Sequence, residues 1–303
     1  MSSSRNSYRS LEKKETVTAY LFLLPSLIGF LFFVILPVIF LLYISFCDWN
    51  LFSGFSGMEF IGLENYKNFI SDPYLKEALK NNIIFTLISV PILTILALIF
   101  AAIVNKGVFL GNVIQSMMFM PYISTLSAVA IVFISLYNGE FGPINVFLRN
   151  IGVQNPPNWL ADPFWALPAI MILWIWQSLG YYMMIYIAAL RDIPDMYYEA
   201  ARIDGASTFQ QFFHITLPLV SPTTFFLVVV GVINSFKLFP HVQIMTEGGP
   251  GSSTMVLIYH IYRTGFEFYE MGYASSLTWL FFVIVFIITI IQWKTQDKWV
   301  EYT

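Results

Sequence analysis

The chain has 303 residues, of which 57% are hydrophobic and only 11% are charged, and its formal net charge is -3. Soluble domains carry roughly 25% charged residues, so this composition excludes an ordinary soluble domain and indicates an integral membrane protein. The small net charge gives no support for a nucleic-acid or acidic partner, and the single cysteine, Cys47, excludes an intrachain disulfide and a multi-cysteine metal site.

Six stretches are long and apolar enough to be spanning helices, since about 20 apolar residues rising about 1.5 Å each cross a hydrocarbon core about 30 Å thick. The predicted spans are Tyr20–Phe46, Ile83–Val104, Val113–Tyr137, Phe164–Leu190, Thr223–Met245 and Gly272–Trp293. The first is too long for the apolar part of a secretory signal and lacks a small-residue cleavage site after it. We therefore expect an all-α protein with six transmembrane helices.

The basic residues predict which way these helices are oriented. With the N-terminus inside, most of them fall on the cytoplasmic side: Arg5, Arg9, Lys13, Lys14, Lys106, Arg191, Arg202, Lys294 and Lys298. The outer loops carry Lys67, Lys76, Lys80, Arg149 and Arg263. Because cytoplasmic loops are enriched in Lys and Arg, both termini are expected in the cytoplasm. The predicted boundaries are a cytoplasmic tail of residues 1–18, one transmembrane domain of residues 19–294 and a cytoplasmic tail of residues 295–303.

The outer loops differ in character. Asp48–Lys80 mixes aromatic and charged residues and is expected to pack on the outer surface. Asn138–Pro163 is rich in Gly, Pro and Asn, with a short helix expected at Ile144–Asn150. Thr246–Thr254 reads TEGGPGSST, which indicates a turn-rich break. Met255–Phe266 is too short to span and is expected to lie at the membrane interface.

The cytoplasmic loop between the fourth and fifth spans, residues 191–221, carries the clearest local signals. Asp195 is a good N-cap for a first helix, and Gly205 stands where a left-handed C′ residue would end it. Ser207 and Gln210 form an S-x-x-Q capping box, which predicts that a second helix starts at once.

The second helix is expected to end near Leu217, because Pro218 cannot continue it. Ser221 is then expected to cap the next span, with Pro222 at its first position. Both short helices carry apolar side chains, and a loop of this length is too short to bury them in a core of its own. These side chains therefore indicate a surface that another protein covers. They are Phe209, Phe212, Phe213 and Leu217 on one face of the second helix, and Tyr197, Ala200 and Ala201 on a small-residue face of the first.

The same loop carries a family motif. Glu199-Ala200-Ala201, then Gly205, then Ile215–Pro218 match the EAA loop of binding-protein-dependent ABC importer permeases. The string EAARIDGAS resembles the carbohydrate branch of that family, whose members resemble maltose and glycerol-3-phosphate permeases. Three further stretches agree with it: Phe60–Phe69, Ala188–Leu190 with Ile193-Pro194, and Thr246–Pro250, where Glu247 departs from the family's usual small or polar residue.

The resemblance implies a type I ABC importer permease with a cytoplasmic coupling helix that docks in a groove of the ATPase subunit. Glu199 would pair with a basic residue there, and Gly205 would permit the tight turn. The ATPase-coupling residues that it implies are Glu199, Ala200, Ala201, Asp204, Gly205, Leu217 and Pro218. It further implies a second, different permease, two ATPase subunits that bind ATP and Mg, and an extracytoplasmic solute-binding protein docked on the outer loops, with no cofactor in this chain.

The loop has two other interpretations. In one, Glu199 is an ordinary solvated helix residue. In the other, the two helices read DNA, but phosphate contact needs an excess of basic residues. The loop has the opposite balance, with Asp192, Asp195, Glu199 and Asp204 against Arg191 and Arg202.

Polar residues inside two spans are candidates for a substrate path. Asn234 and Lys237 share a face of the fifth span, and an ionisable residue in a bilayer is a functional hypothesis. The alternative is that Lys237 lies in the outer half of the bilayer and extends to the interface. Gln177 and Tyr181 in the fourth span offer an amide beside an aromatic face, which suits a sugar, although packing or an interfacial belt explains aromatic residues there as well.

Other functional classes lack their sequence features. The predicted spans contain no Asp or Glu, which argues against an ion-coupled secondary carrier. The sequence has no G-x-x-x-x-G-K-[ST] motif, so ATP would bind another subunit and the chain is not expected to be an enzyme. His214, His241 and His260 are too scattered to predict a metal or catalytic site.

The function that we expect is therefore that of a permease of an ATP-driven importer in a bacterial or archaeal cell membrane. Its substrate is expected to be a carbohydrate, such as an oligosaccharide or disaccharide. Glycerol-3-phosphate or a related phosphodiester is the alternative, since close relatives of the branch carry it.

Overall fold

The computed structural model describes residues 2–105, 107 and 109–301, with side chains at 15–16 and from 18 onward. Lys106 lies outside the described residues, as do the side chains of Arg5, Arg9, Lys13 and Lys14. The described chain is mostly helical. It forms two compact units, Met1–Asn68 with Thr264–Trp279, and Phe69–Arg263 with Leu280–Thr303.

The first unit consists of a long apolar helix followed by a small hairpin. Its elements are α1 (Ser2–Phe30), a π-helical turn (Leu31–Ile35), α2 (Leu36–Ile44), β1 (Cys47–Asp48), β2 (Glu59–Phe60) and α3 (Glu64–Lys67). β1 and β2 pair antiparallel, with Cys47 opposite Phe60. The side chain of Asn65 donates to the backbone oxygens of Ser45 and Cys47, at 3.0 and 2.9 Å, so α3 is tied to the end of α2.

The second unit contains the other helices. They are α4 (Pro73–Asn105), α5 (Gly111–Ile123), α6 (Leu126–Leu136), α7 (Pro143–Asn150), α8 (Ala166–Arg191), α9 (Asp195–Ile203), α10 (Thr208–Gln211), α11 (Leu217–Leu219), α12 (Ser221–Phe236), α13 (Phe239–Met245) and α14 (Leu257–Tyr262). The last long helix, α15 (Met271–Thr295), begins in the first unit and ends in the second. The short helix expected at Ile144–Asn150 is confirmed as α7.

The core of the second unit is built where α4, α8 and α12 pack together. Phe85 of α4 meets Trp174 of α8 edge-on, with ring centroids 5.5 Å apart. Two buried tyrosines of α8 then reach α12: Tyr182 donates to the Leu227 carbonyl at 3.2 Å, and Tyr186 donates to the Thr224 hydroxyl at 3.0 Å. Their rings fill the core while each hydroxyl finds a partner, as a buried phenol requires.

Among the described residues, length and composition give four candidate membrane spans, or up to six if each bent helix pair counts as one span. Four helices are long and apolar enough to cross a bilayer: Thr18–Ile44, Pro73–Asn105, Ala166–Arg191 and Met271–Lys298. Two further pairs, Gly111–Ile123 with Leu126–Leu136 and Thr208–Leu219 with Ser221–Phe236, meet the same criteria only when taken together across bends of 98° and 64°. These four agree with the first, second, fourth and sixth predicted spans.

The third span was wrongly predicted as one continuous helix. The structure breaks Val113–Tyr137 between α5 and α6, which meet at 98°. Pro121 removes a backbone donor in the last turn of α5, and Ser124 is extended, with ψ 147°. With 13 residues, α5 is only about 20 Å long and is too short to cross the bilayer alone.

The fifth span was also wrongly predicted as continuous. Helix α12 ends at Phe236, and α13 begins at Phe239 with a proline in its first turn. Pro240 has no N–H to give to the carbonyl of Phe236, so a backbone hydrogen bond that would continue the helix is missing at this point. Lys237 lies in the break itself, with φ -94° and ψ 35°.

Candidate functional site

The loop between α8 and α12 forms the two helices that the sequence predicts. Its first helix, α9, is preceded by Pro194 in an extended conformation. The prediction that Asp195 is the N-cap was therefore wrong: Asp195 is the first helical residue, where its charge still complements the helix dipole. Pro194 takes the cap position because its fixed φ and the extended ψ of 133° turn the chain into the helix.

The end of α9 is a Schellman motif centred on Gly205. The Ala206 N–H donates to the Ala201 carbonyl at 2.8 Å, and the Gly205 N–H donates to the Arg202 carbonyl at 3.1 Å. Gly205 has φ 77°, a left-handed conformation that a side chain would strain. The predicted turn at Gly205 is confirmed, and residues 204–207 connect α9 to the next helix.

The second helix begins with the predicted capping box. The Ser207 N–H donates to Oε1 of Gln210 at 2.8 Å, and the Gln210 N–H donates to Oγ of Ser207 at 3.3 Å. The predicted helix end was wrong, because the chain continues through a π-helical turn, Phe212–Thr216, into α11. Pro218 lies inside α11, since the wider π turn before it shifts the backbone hydrogen-bond pattern.

Ser221 does not cap the fifth span, contrary to the prediction. It is the first residue of α12, Val220 holds the cap position, and Pro222 follows at the second helical position. The Ser221 hydroxyl instead accepts a hydrogen bond of 2.9 Å from the backbone N–H of Glu301. The C-terminal segment is thus tied to the start of α12.

One face of α9 is anchored to the rest of the second unit. Ile193, just before the helix, is buried. The Tyr198 hydroxyl lies 2.9 Å from the hydroxyl of Thr216, which is also buried. A displacement of α9 would therefore also move the segment that leads into α12.

The opposite face of α9 is open. The exposed residues there are Met196, Tyr197, Glu199, Ala200 and Ile203, and the Ile203 side chain is 87% exposed. Glu199 makes no hydrogen bond or ion pair within the described residues. A carboxylate that stands free among exposed apolar side chains is suited to a basic partner from another chain.

The second helix adds aromatic surface to this open face. Phe209 is 72% exposed and contacts Phe213, which is also exposed, with ring centroids 4.6 Å apart and the rings tilted by 49°. Phe212 turns inward and is half-buried, so the predicted single apolar face divides into an inner and an outer part. Leu217 is exposed, whereas Pro218 is half-buried. We call Met196, Tyr197, Glu199, Ala200, Ile203, Phe209 and Phe213 the coupling surface.

The predicted substrate-path residues form two groups in the second unit. Gln177 and Tyr181 are half-buried on α8, where the Tyr181 ring stacks on Tyr122 at 4.5 Å and an interplanar angle of 10°. Asn234 and Lys237 are exposed at the end of α12, where the Asn234 carbonyl accepts from the Lys237 N–H at 3.0 Å. Stacked aromatic rings suit a sugar face, and an amide and an ammonium group suit the polar groups of a solute, so both groups remain candidates for a substrate path.

Two polar residues of the broken fifth span, His241 and Gln243, are not among the predicted substrate-path residues. Neither ring nitrogen of His241 has a hydrogen-bond partner in the described chain, and the same holds for Oε1 of Gln243, although all three atoms are buried. Both residues lie on α13, directly after the break at Lys237. Polar residues inside an apolar span are a signal that the sequence already contained.

The two outer loops expected to receive a binding protein are well organised. The Asn145 side chain donates to the carbonyls of Gly139 and Pro157, each at 3.0 Å, and accepts from the Trp159 indole at 2.8 Å. In the other loop the Thr246 and Thr254 hydroxyls lie 2.7 Å apart. Each loop is thus held by hydrogen bonds between its own residues.

Comparison with known proteins identifies relatives along almost the whole chain. A family described as "Binding-protein-dependent transport system inner membrane component" matches residues 77–295. The lactose transport system permease protein LacF of Rhizobium radiobacter is 34% identical over 289 residues, 93% of this chain and 95% of LacF. The sn-glycerol-3-phosphate transport system permease protein UgpA of Pectobacterium atrosepticum is 30% identical over 303 residues, 100% of each chain.

A solved structure has the same fold. It is a bacterial alginate ABC transporter in complex with alginate pentasaccharide-bound periplasmic protein. One of its chains superposes with a TM-score of 0.82 at 23% identity, over 95% of this chain and 96% of that one. The open face of α9 thus belongs to a fold that occurs in a transporter.

Proposed function

The chain belongs to the family of binding-protein-dependent transport system inner membrane components, and from this premise we propose that it is the permease subunit of an ATP-driven carbohydrate importer. The fold is that of the type I ABC importer permeases. In the proposed topology six spans cross the cell membrane, the two bent helices included, and both termini are cytoplasmic. The basic residues of the sequence support this orientation.

The observation that carries the proposal is the coupling surface. Its apolar side chains are exposed, and its carboxylate has no hydrogen bond or ion pair within the described residues. This surface stands next to the helix that leads into a membrane span. We infer that an ATPase subunit docks here through α9, with Glu199 paired to one of its basic residues. Losing one partner of a buried, hydrogen-bonded charge pair costs about 2–5 kcal/mol, which is enough to release a subunit.

The second step of the proposal is mechanical. The Schellman turn at Gly205 and the capping box after it hold α9 and α10 in one fixed relation. The hydrogen bond between Tyr198 and Thr216 joins α9 to the segment before α12. When ATP closes the ATPase pair, α9 would move inward and shift α8 and α12, so that the passage opens to the outside.

The proposed assembly contains this chain, a second and different permease, two ATPase subunits and an extracytoplasmic solute-binding protein. ATP and Mg would bind only to the ATPase subunits, and the chain would not be an enzyme by itself. The ordered outer loops, 138–163 and 246–254, are the proposed docking sites for the binding protein.

A carbohydrate is the substrate that the residues support best. The stacked Tyr122 and Tyr181 offer aromatic faces to sugar C–H groups, and Gln177 and Asn234 offer amides to hydroxyls. The relative that carries lactose supports this class. The second candidate is glycerol-3-phosphate or a related phosphodiester, which Lys237 beside the break in the fifth span and the full-length relative UgpA favour. An ion-coupled carrier is a weaker alternative, because the predicted spans carry no carboxylate.

Co-purification tests the importer proposal. The tagged chain would be expressed with its neighbouring genes as wild type, as Glu199→Ala and as Gly205→Pro, and the retained proteins identified by mass spectrometry. The wild type should retain an ATPase and a second permease, whereas both variants should keep the permease and lose the ATPase. Glu140→Ala, which removes an exposed carboxylate from an outer loop, should retain both. If the wild type purifies alone and moves solute without ATP, the importer proposal is wrong.

A further inference from the structure

A groove in the second unit lies beside the coupling surface but is separate from it. Its volume is about 990 Å³, at the upper end of the roughly 300–1,000 Å³ of small-molecule sites. Asn105 and Arg191, the last residues of α4 and α8, both line it. Because both helices are long enough to cross a bilayer and end here, the groove lies at a boundary between hydrocarbon and water.

One wall of the groove is apolar and belongs to a membrane helix. Ile99, Ala102 and Ile103 line it from the last two turns of α4. They recur at the i, i+3 and i+4 positions of one helix face, and both isoleucines are exposed. A wall of this kind, at the end of a span, suits an acyl chain.

The other wall carries two guanidinium groups. Arg191 and Arg202 line the groove, and neither forms an ion pair within the described residues. Arg202 uses its Nε–H on the Tyr198 carbonyl, at 3.2 Å, and its remaining N–H groups have no acceptor within the described residues. Asp195 is the one carboxylate among the lining residues, so their formal charge sums to +1.

We propose that this groove is a binding site for an anionic phospholipid. The headgroup phosphate lies between Arg191 and Arg202, and an acyl chain lies along Ile99 and Ile103. Basic pockets between transmembrane helices favour anionic headgroups, and guanidinium groups recognise phosphate oxygens with paired hydrogen bonds. Free phosphate would use only the polar wall, whereas a lipid uses both walls.

Lipid and ATPase would occupy different faces of α9. The groove is lined by Asp195, Tyr198 and Arg202, which are related as i, i+3 and i+7 and so share one face. Glu199 and Ile203 of the coupling surface do not line the groove. The lipid would thus support the inner side of the coupling helix while the outer side remains available for docking.

Native mass spectrometry of the assembled transporter tests this proposal. The complex would be purified in detergent and exchanged into nanodiscs of phosphatidylcholine with one-fifth phosphatidylglycerol, and the retained lipids counted. The test variant is Arg191→Gln with Arg202→Gln. The matched control is Lys76→Gln with Lys80→Gln, which removes the same charge from exposed positions at the other end of α4.

We expect the wild type and the control to retain phosphatidylglycerol in preference to phosphatidylcholine. Each basic residue near an anionic surface contributes about a fivefold preference, so the double arginine variant should lose about 25-fold. The photoreactive residue benzoylphenylalanine in place of Ile103 should form a crosslink to phosphatidylglycerol. ATPase retention, measured in the same samples, separates this result from the failure of the importer proposal.

Several outcomes would overturn the lipid site. One is an unchanged lipid preference in the double arginine variant, and another is an equal loss in the lysine control. A third is displacement of the lipid by millimolar inorganic phosphate, which would assign the site to a free anion. A fourth is a crosslink from position 103 to a segment of the second permease or of an ATPase subunit in place of lipid.

Discussion

The imidazole of His260 and the carboxylate of Asp72 meet at 2.8 Å, between Nε2 and Oδ2, and both side chains are nearly buried. The other carboxylate oxygen, Oδ1, accepts hydrogen bonds from the N–H groups of Tyr74 and Leu75, at 2.8 and 3.1 Å. Asp72 therefore caps the N-terminus of α4 and holds α14 to it at the same time. The ordered loop before α14 owes part of its position to this pair.

Removing this carboxylate should destabilise the end of the second unit where α4 begins and α14 packs. Asp72→Ala deletes the helix cap and leaves His260 buried without its partner, so we expect a loss of about 1–3 kcal/mol. Asp72→Asn keeps an oxygen for the cap and should cost less. The unfolding temperature of the purified complex measures both, and equal values for wild type and Asp72→Ala would contradict the assigned role.

Gly180 of α8 should not tolerate a side chain. A Cβ there would fall on the backbone carbonyl of Met118 in α5, so the two helices approach each other closely only because the glycine has no side chain. Gly180→Ala is expected to push α5 away from α8 and to lower the unfolding temperature and the transport rate together. Ala188→Val, which adds bulk at an exposed position of the same helix, serves as the control and should change neither.

Substitutions at Gly205 should follow backbone preference rather than side-chain size. A Cβ at this position would meet no atom within 4 Å, but φ is 77°, a region that costs ordinary residues roughly 1–2 kcal/mol. We therefore expect transport-coupled ATPase activity to fall in the order Gly, Asn, Ala, Val, since Asn adopts left-handed φ most readily after Gly. An Ala variant as active as wild type would show that the turn is not required.

Cys47 should behave as a reporter of unfolding. Its side chain is completely buried, Sγ lies 3.5 Å from the Tyr43 carbonyl, and burial raises the pKa of the thiol. Since the thiolate is the reactive form, a soluble maleimide should label native Cys47 slowly at pH 7 and rapidly once the chain is denatured. Ser53→Cys, at an exposed site in the same unit, should label at once. Fast labelling of Cys47 in the folded complex would contradict the buried position.

The sequence predicted the local features of the candidate site better than its long-range ones. Gly205 and the Ser207–Gln210 box depend on residues within a few positions of each other, and both are confirmed. Ser221 failed as a cap because its hydroxyl pairs with Glu301, 80 residues away, and no local pattern signals such a contact.

The prediction of the membrane helices from the sequence was limited in the same way. Hydropathy located the apolar stretches, but it averages over a window and misses a single break. Pro240 and Pro121 indicated a possible helix break in the fifth and third spans. Pro91 is the same kind of residue, yet it lies inside α4, which continues through it. Whether a proline ends a helix therefore depends on the packing around it.

Lys237 offers the sharpest test between the two proposed substrates. It lies in the break of the fifth span, exposed beside Asn234, and its ammonium group would be the natural partner of a phosphate. If the substrate is a neutral carbohydrate, Lys237→Gln should change KM for uptake by less than about threefold, because a glutamine still hydrogen-bonds hydroxyls.

If the substrate is a phosphodiester or glycerol-3-phosphate, the same change removes a charge-assisted hydrogen bond, which contributes about 1.5–3 kcal/mol, so KM should rise by about tenfold or more. Lys237→Arg keeps the charge and should restore most of the affinity in that case alone. Uptake of labelled solute into proteoliposomes, with the binding protein and ATP supplied, gives KM for the wild type, Lys237→Gln and Lys237→Arg under the same conditions. A tenfold rise in Lys237→Gln that Lys237→Arg reverses would replace the carbohydrate assignment with an anionic substrate, while leaving the ATP-driven importer in place.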